Sequence, residues 1–197
     1  MNLLAHSYLS FNNRQILVGN MISDFVKGRK KFDYPLEIQK GIALHRAIDT
    51  FTDEHEATHE AKQFLRPAVG LYAGAFVDVV YDHFLANDTN EFNDASLQQH
   101  ALKTYDELGR QLEYIPDKFK VMIPYMQAQN WLYNYRTTSG TGQSFGGVVR
   151  RAAYLNSSEK VFELFLTHYS SLQICYNAFF PFVKAYARRE FEVLTNE

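Results

Sequence analysis

Two carboxylates, Asp78 and Asp82, stand four residues apart in a run that is otherwise apolar almost all round: Phe76, Val77, Val79, Val80, Tyr81, Phe84 and Leu85. On a helix, positions four apart share a face, so both acids emerge from a surface that its neighbours require to be buried. An unpaired buried carboxylate costs several kcal/mol, so the fold must bring a cation or donors to that face. The pattern recurs upstream in Gly41-Ile42-Ala43-Leu44-His45-Arg46-Ala47-Ile48-Asp49, where His45 and Asp49 are also four apart. Asp53 continues the step. Packed helices with a charged seam inside are the architecture this pattern demands, and a metal ion is the simplest source of the missing charge. Blander partners are also available: Arg14 or Arg46 for the two aspartates, a hydrogen bond between His45 and Asp49, and a capping box Asp53-x-x-Glu56 for Asp53.

Imidazole and carboxylate on one face suit Mn²⁺, Mg²⁺ or Fe²⁺ better than a thiolate site would. The lone Cys175 is a buried filler in this reading and makes no internal disulfide. At 197 residues, 46% hydrophobic and 15% aromatic, the chain has material for the core of one domain, residues 1–197. A net charge of -2 carries no global nucleic-acid or membrane-surface signature. The first residues lack the basic start and apolar core of a signal peptide, and no apolar run approaches the roughly 18 to 20 residues of a membrane span. The expectation is a soluble, cytoplasmic protein.

The spacing predicts helices over residues 14–27, closed by Gly28, and 36–51, opened by Pro35. Further helices follow over 53–66, from Pro67 to about residue 86, over 94–113 and over 116–136. Residues 29–34 read as a basic loop, 87–94 as a polar loop, and 137–144 as an internal linker rich in Thr, Ser and Gly. A helix over 145–154 leads into a long one from Ser158, bent at Pro181. No strand alternation of useful length interrupts this. The chain reads as an all-α bundle of seven or eight helices.

Other polar residues join the candidate pool. Asn20 and Asp24 lie four apart on an apolar helix, with Lys27 in reach of Asp24. His83 follows Asp82 and points about 100° away unless the helix end is distorted. His6 stands among apolar residues, as a ligand or as a satisfied core histidine. His55, His59, His100 and His168 carry no assigned role. Nucleophile-elbow, P-loop and dinucleotide motifs are absent. Arg29-Lys30-Lys31 and Arg150-Arg151 are local basic clusters, either solvated faces or a landing site for an acidic partner.

The ordered set Asn2-Leu3-Leu4-Ala5-His6, Gly19-Asn20-x-x-x-Asp24-Phe25-Val26-Lys27-Gly28, Gly41-Ile42-x-Leu44-His45-Arg46-x-Ile48-Asp49-x-Phe51-Thr52-Asp53 and Asp78-x-x-Tyr81-Asp82-His83-Phe84-Leu85 resembles the acyl-carrier-protein phosphodiesterases. Asn130-Trp131-Leu132-x-x-Tyr135-Arg136 and Gly147-x-x-x-Arg151 extend the resemblance over most of the chain. That family is a divergent branch of the all-helical HD-type phosphohydrolases, and the resemblance implies an HD-domain-like fold. It also implies removal of the 4′-phosphopantetheine arm from holo acyl carrier protein with a divalent cation, typically Mn²⁺. On this reading His45, Asp49 and Asp82 hold the metal, with Asp78 and His6 near it. Asp24 and His83 serve as further ligands or as base and acid, and Arg46 and Lys27 hold phosphate oxygens. Arg29, Lys30, Lys31, Arg150 and Arg151 dock the acidic carrier. Trp131, Tyr133 and Tyr135 either line a channel for the arm or pack in the core. No His-Asp doublet occurs in the chain, so ligand roles do not transfer mechanically. An HD-like hydrolase of a nucleotide or other small phosphoester, and a non-catalytic helical module for an acidic partner, are the rival readings.

Overall fold

A computed structural model describes residues 1–196 as twelve α-helices joined by short 3₁₀ turns, with no strand among the described residues. They are α1 (Leu3–Tyr8), α2 (Arg14–Ile22), α3 (Leu36–Glu54), α4 (Glu56–Val69), α5 (Ala73–Asn87) and α6 (Asp94–Arg110), followed by α7 (Asp117–Lys120), α8 (Ile123–Ala128), α9 (Trp131–Asn134), α10 (Thr138–Arg151), α11 (Glu159–Thr167) and α12 (Tyr169–Asn196). The all-α expectation holds.

The apolar helix with two acids becomes α5, which packs against α1, α4, α10 and α12. Phe76, Val77, Val79, Val80 and Tyr81 are all fully buried there. Each such side chain contributes about 1.5–3 kcal/mol, which makes this helix the axis of the core. Helices α4 and α5, spanning Glu56–Asn87, include a stretch apolar enough by length and composition to cross a membrane, contrary to the sequence reading. Gly70, at φ 56°, breaks the pair, and buried Asp82 and His83 lie within α5, as suits a core element.

Helices α2 and α3 cross with their backbones nearly touching. A Cβ on Gly19 would lie 2.1 Å from the Ile38 carbonyl oxygen, and one on Gly41 would lie 2.3 Å from that of Ile16. Only glycine fits at this crossing. The crossing fixes where Asn20, the residue after Gly19, and His45, one turn beyond Gly41, face each other.

Several boundaries differ from the sequence reading, each for a local reason. Helix α2 stops at Ile22 and tightens into a 3₁₀ turn over Ser23–Phe25, so Asp24 leaves the face of Asn20. The basic segment Gly28–Asp33 is itself 3₁₀. Helix α3 runs through Asp53 to Glu54, and His55, not Asp53, caps α4 by accepting from the Ala57 amide. Pro67 sits in the last turn of α4, and the chain restarts after Gly70 instead. The expected helix over 116–136 is three short ones, broken by Pro124 near the start of α8 and by Asn130 in the left-handed region before α9. The expected linker is helical: Thr137 caps α10, accepting from the Gly140 amide at 3.0 Å, and a Cβ on Gly140 would strike the Asn134 carbonyl oxygen at 2.1 Å. The final helix is divided at His168, while α12 continues through Pro181.

Candidate metal centre

Three early elements carry the centre. His6 comes from α1, Asn20 from α2, and His45 and Asp49 from one face of α3. His6 and His45 are buried and stack with ring centroids 3.9 Å apart and planes 16° from parallel. Asn20 anchors both rings. Its side-chain Oδ1 lies 2.7 Å from His6 Nδ1, and its main-chain carbonyl lies 2.7 Å from His45 Nδ1. The Asn20 amide nitrogen in turn donates to the His6 carbonyl and to Ser10 Oγ. Since carbonyl oxygens only accept, both Nδ1 atoms carry hydrogen, and both Nε2 atoms are turned to the opposite side.

Both Nε2 atoms meet Asp49 there. His6 Nε2 lies 3.1 Å from one carboxylate oxygen and His45 Nε2 lies 3.0 Å from the other. His45 Nε2 is also 3.2 Å from Asp24 Oδ1. The ligand atoms offered by His6, His45 and Asp49 all fall within 4.8 Å of one another. Two neutral imidazole lone pairs facing carboxylates would repel, so the cluster requires positive charge at its centre. The Met1 ammonium, 3.6 Å from Asp49 Oδ1, is one source and a proton on His45 a second; a divalent ion held by the two imidazoles and the carboxylate would be a third.

The electrostatics follow from that demand. Burial disfavours charge on His45, but hydrogen bonds to Asp24 and Asp49 prevail and raise it to about 9. Burial and the facing His45 lower His6 to about 4. Burial pulls Asp49 upward, yet hydrogen bonds from His45 and His6 outweigh it and hold the carboxyl below its ordinary range. The hydrogen bond to His45 likewise lowers Asp24, whose side chain remains 77% exposed.

A broad cleft of about 570 Å³ opens beside the centre, lined by Asp24, Lys27, Gly28, His45, Arg46 and Asp49 among others. Arg46 lies in it with Nη2 donating to the Val26 carbonyl at 2.9 Å. Arg29 and Lys30 are exposed and Lys31 is half-buried on the 3₁₀ segment that continues from this rim. Asp24 and His45 also line a small pocket of about 50 Å³, together with Leu3, His6, Met21, Phe25, Met122 and Arg151 among others.

Asp82 and His83 stand apart from the cluster, against their sequence-based grouping with the metal ligands, while Asp78 is joined to it through the Met1 ammonium, which also lies 3.6 Å from Asp49 Oδ1. Asp82 is fully buried and accepts from the amides of Asn2, Leu4 and Ala5 at 3.3, 2.7 and 3.2 Å. It serves as the N-cap that α1 does not find in Asn2. Burial lifts its carboxyl to about 7, against the lowering effect of those amides. Asp78 accepts from the Met1 ammonium at 2.9 Å. His83 Nδ1 lies 2.7 Å from the Tyr135 carbonyl and its Nε2 2.8 Å from the Tyr169 hydroxyl, in the core between α5, α10 and α12. The acids of α5 thus position α1, and through it His6.

Among the remaining candidates, Lys27 and Arg46 reach the broad cleft, Arg151 reaches the small pocket, and Arg150 lines neither. Tyr135 is buried, Tyr133 bonds Asp94 and Trp131 bonds Gln129, so these aromatics line neither space. The sequence offered Asn20 as a polar residue on an apolar helix, four before Asp24 and within the family motif, but gave no sign that it holds two histidines. Its double role needs α1 and α3 to close on it from opposite sides.

A family model described as "Acyl carrier protein phosphodiesterase" matches residues 1–183. A protein of that name from Klebsiella pneumoniae subsp. pneumoniae is 31% identical over 182 residues, covering 92% of this chain and 94% of its own. Namesakes from Enterobacter sp. and Photorhabdus laumondii are 28% and 27% identical, covering 96% and 93% of this chain and 99% and 93% of theirs. No solved structure matches.

Proposed function

The chain belongs to the acyl carrier protein phosphodiesterase family, and from that premise we propose that it hydrolyses the phosphodiester joining 4′-phosphopantetheine to the serine of holo acyl carrier protein. The products are apo carrier and 4′-phosphopantetheine. The observation that carries the site assignment is the convergence of His6 and His45 Nε2 on Asp49, with both Nδ1 atoms tied to Asn20. His6, His45 and Asp49 would hold the ion, Mn²⁺ in the first place and Fe²⁺ or Mg²⁺ as alternatives. Bound there, a divalent cation neutralises charge on phosphoryl oxygens and acidifies water.

The chain's own groups supply the rest. Asp24, ionised at neutral pH and exposed to both openings, orients the attacking water and accepts its proton. The water oxygen bonds to phosphorus as the bond to the serine oxygen breaks, and Lys27 in the broad cleft donates the proton that the serine oxygen takes up. Arg46, held by Val26, presents a planar fork to the phosphoryl oxygens. Arg29, Lys30 and Lys31 continue from the rim, where an acidic carrier meets complementary charge. Activity in the bacterial cytoplasm and descent from HD-type hydrolases belong to the same proposal.

Incubation of the purified protein with holo acyl carrier protein and Mn²⁺, followed by intact-mass measurement, tests this reading. Loss of the arm's mass is expected from the wild type, and at least 100-fold slower loss from Asp49→Asn. A carrier that keeps its arm through prolonged incubation overturns the assignment. Cleavage of a small phosphodiester in its place would move the substrate to that class.

A further inference from the structure

Asp24 and His45 line both openings, so a phosphodiester seated at the centre has one end toward each. The two openings differ in size and chemistry. The broad one, about 570 Å³, carries Lys27 and Arg46 and adjoins the basic 3₁₀ segment. The small one, about 50 Å³, is apolar along Leu3, buried Met21, Phe25 and Met122 and polar on the rest of its lining, where Asn2 and Asn20 join the two histidines, Asp24 and Arg151. Arg151 ends α10 and makes no ion pair among the described residues.

Such a pocket has room for a few waters or one compact branched hydrocarbon group, and none for a nucleobase. In 4′-phosphopantetheine a carbon bearing two methyl groups stands one methylene from the phosphate oxygen. We propose, building on the phosphodiesterase reading above, that the small pocket seats this dimethyl carbon between Met21, Phe25 and Met122 while Arg151 holds the adjoining phosphoryl oxygens. The site then reads the start of the arm by shape on one side and the carrier by charge on the other. The serine end faces the broad cleft. Thioether and ring walls suit a branched apolar group, and the cation at the edge matches the anionic diester next to it.

The test compares two carriers, one with the natural arm and one whose arm has a plain methylene in place of the dimethyl carbon. Wild-type kcat/KM, followed by intact mass with Mn²⁺ present, is expected to be on the order of 10-fold lower for the unbranched arm, as befits two buried methyl groups. Met122→Trp, which fills the pocket from a partly exposed wall, is expected to slow the natural arm about 10-fold and to erase most of that preference. Calorimetric binding of free 4′-phosphopantetheine and its unbranched analogue gives a readout without turnover, and Arg151→Gln should weaken both to a similar extent. Equal rates and affinities for the two arms in the wild type overturn the pocket assignment and leave the phosphodiesterase reading standing. So does an equal loss on both arms in Met122→Trp. Failure to cleave either carrier overturns the phosphodiesterase reading, and this one falls with it.

Discussion

Asn20 is a neutral, fully buried residue that orients two charged-site histidines at once, one through its side chain and one through its main chain. The two roles are separable by mutation. Asn20→Ala removes the acceptor for His6 Nδ1 and the donor to the His6 carbonyl and Ser10, but leaves the carbonyl that holds His45. Mn²⁺ affinity, measured by titration calorimetry, should fall by about 10- to 100-fold, and stability by about 1–3 kcal/mol. An unchanged affinity would remove Asn20 from the centre. His100 offers a residue-scale prediction away from the His6–His45–Asp49 cluster. Burial, helped by Lys103, lowers it to about 4, with Nε2 2.9 Å from Ser7 Oγ and the rings of Tyr8 and Phe92 beside it. The unfolded chain takes up a proton near pH 6.5 while the native protein stays neutral there, so His100 costs stability progressively as pH falls from 6.5 toward 4. Asp82 titrates in the opposite sense over much of that window, so the informative quantity is a difference. In urea unfolding at pH 7 and pH 5, wild type should lose more stability on acidification than His100→Gln, and equal losses would refute the shift. The sequence marked His45 and Asp49 because spacing of four shows a shared helix face. It overrated Asp82, because apolar surroundings say that a carboxylate needs partners without saying which. Three amides from a segment 77 to 80 residues away were those partners.

Helices α2 and α3 owe their geometry to absent side chains. With Gly19 and Gly41 in contact at the crossing, the Asn20 carbonyl comes within hydrogen-bond reach of a histidine on α3. A methyl at either glycine meets carbonyl oxygen and backbone carbon, neither of which swings aside as a side chain does. Gly41→Ala should therefore cost more than the usual penalty for overpacking, about 3 kcal/mol or above, and a fold that survives should bind Mn²⁺ more weakly because His45 has shifted relative to Asn20. Thermal unfolding followed by circular dichroism and a Mn²⁺ titration check the two halves. A variant with unaltered Tm would show that the helices separate without strain. The same crossing illustrates what was legible at this scale. Apolar periodicity revealed α3 and α6 nearly whole, since each buries one regular face, and a nearly unbroken apolar run revealed the body of α5, which starts at Ala73 and not at Pro67. Periodicity failed at α2, where the helix gives way to a 3₁₀ turn over Ser23–Phe25 although Phe25 stacks on Phe119 and Val26 is buried. It failed again at α10, where Thr, Ser and Gly resemble a linker until Thr137 caps the first turn and Gly140 nestles against Asn134.

Across the molecule, the centre joins segments that are distant in sequence: α1, α2 and α3 meet at one point, and α1 is held there by Asp82 of α5. An ion at that point would bind the folded chain and have almost no counterpart in the unfolded one, so it should act as a staple. At 100 times its dissociation constant a ligand stabilises by about 2.7 kcal/mol, which for a chain of this size raises Tm by roughly 5–10 °C. The chemistry of the donors sets the order among ions. Two imidazoles and a carboxylate favour Mn²⁺ and Fe²⁺ over Mg²⁺, which prefers oxygen ligands and gives up water reluctantly. Mn²⁺ should therefore raise Tm well above the shift given by the same concentration of Mg²⁺, and chelator should reverse it. Asp49→Asn should abolish the difference by removing the charge on which both Nε2 atoms converge. Because the ion displaces the proton that His45 otherwise carries between Asp24 and Asp49, binding near neutral pH should release protons, and its calorimetric enthalpy should vary with the buffer's ionisation enthalpy. Equal shifts for Mn²⁺ and Mg²⁺ that persist in Asp49→Asn would place the stabilising ion elsewhere on the chain.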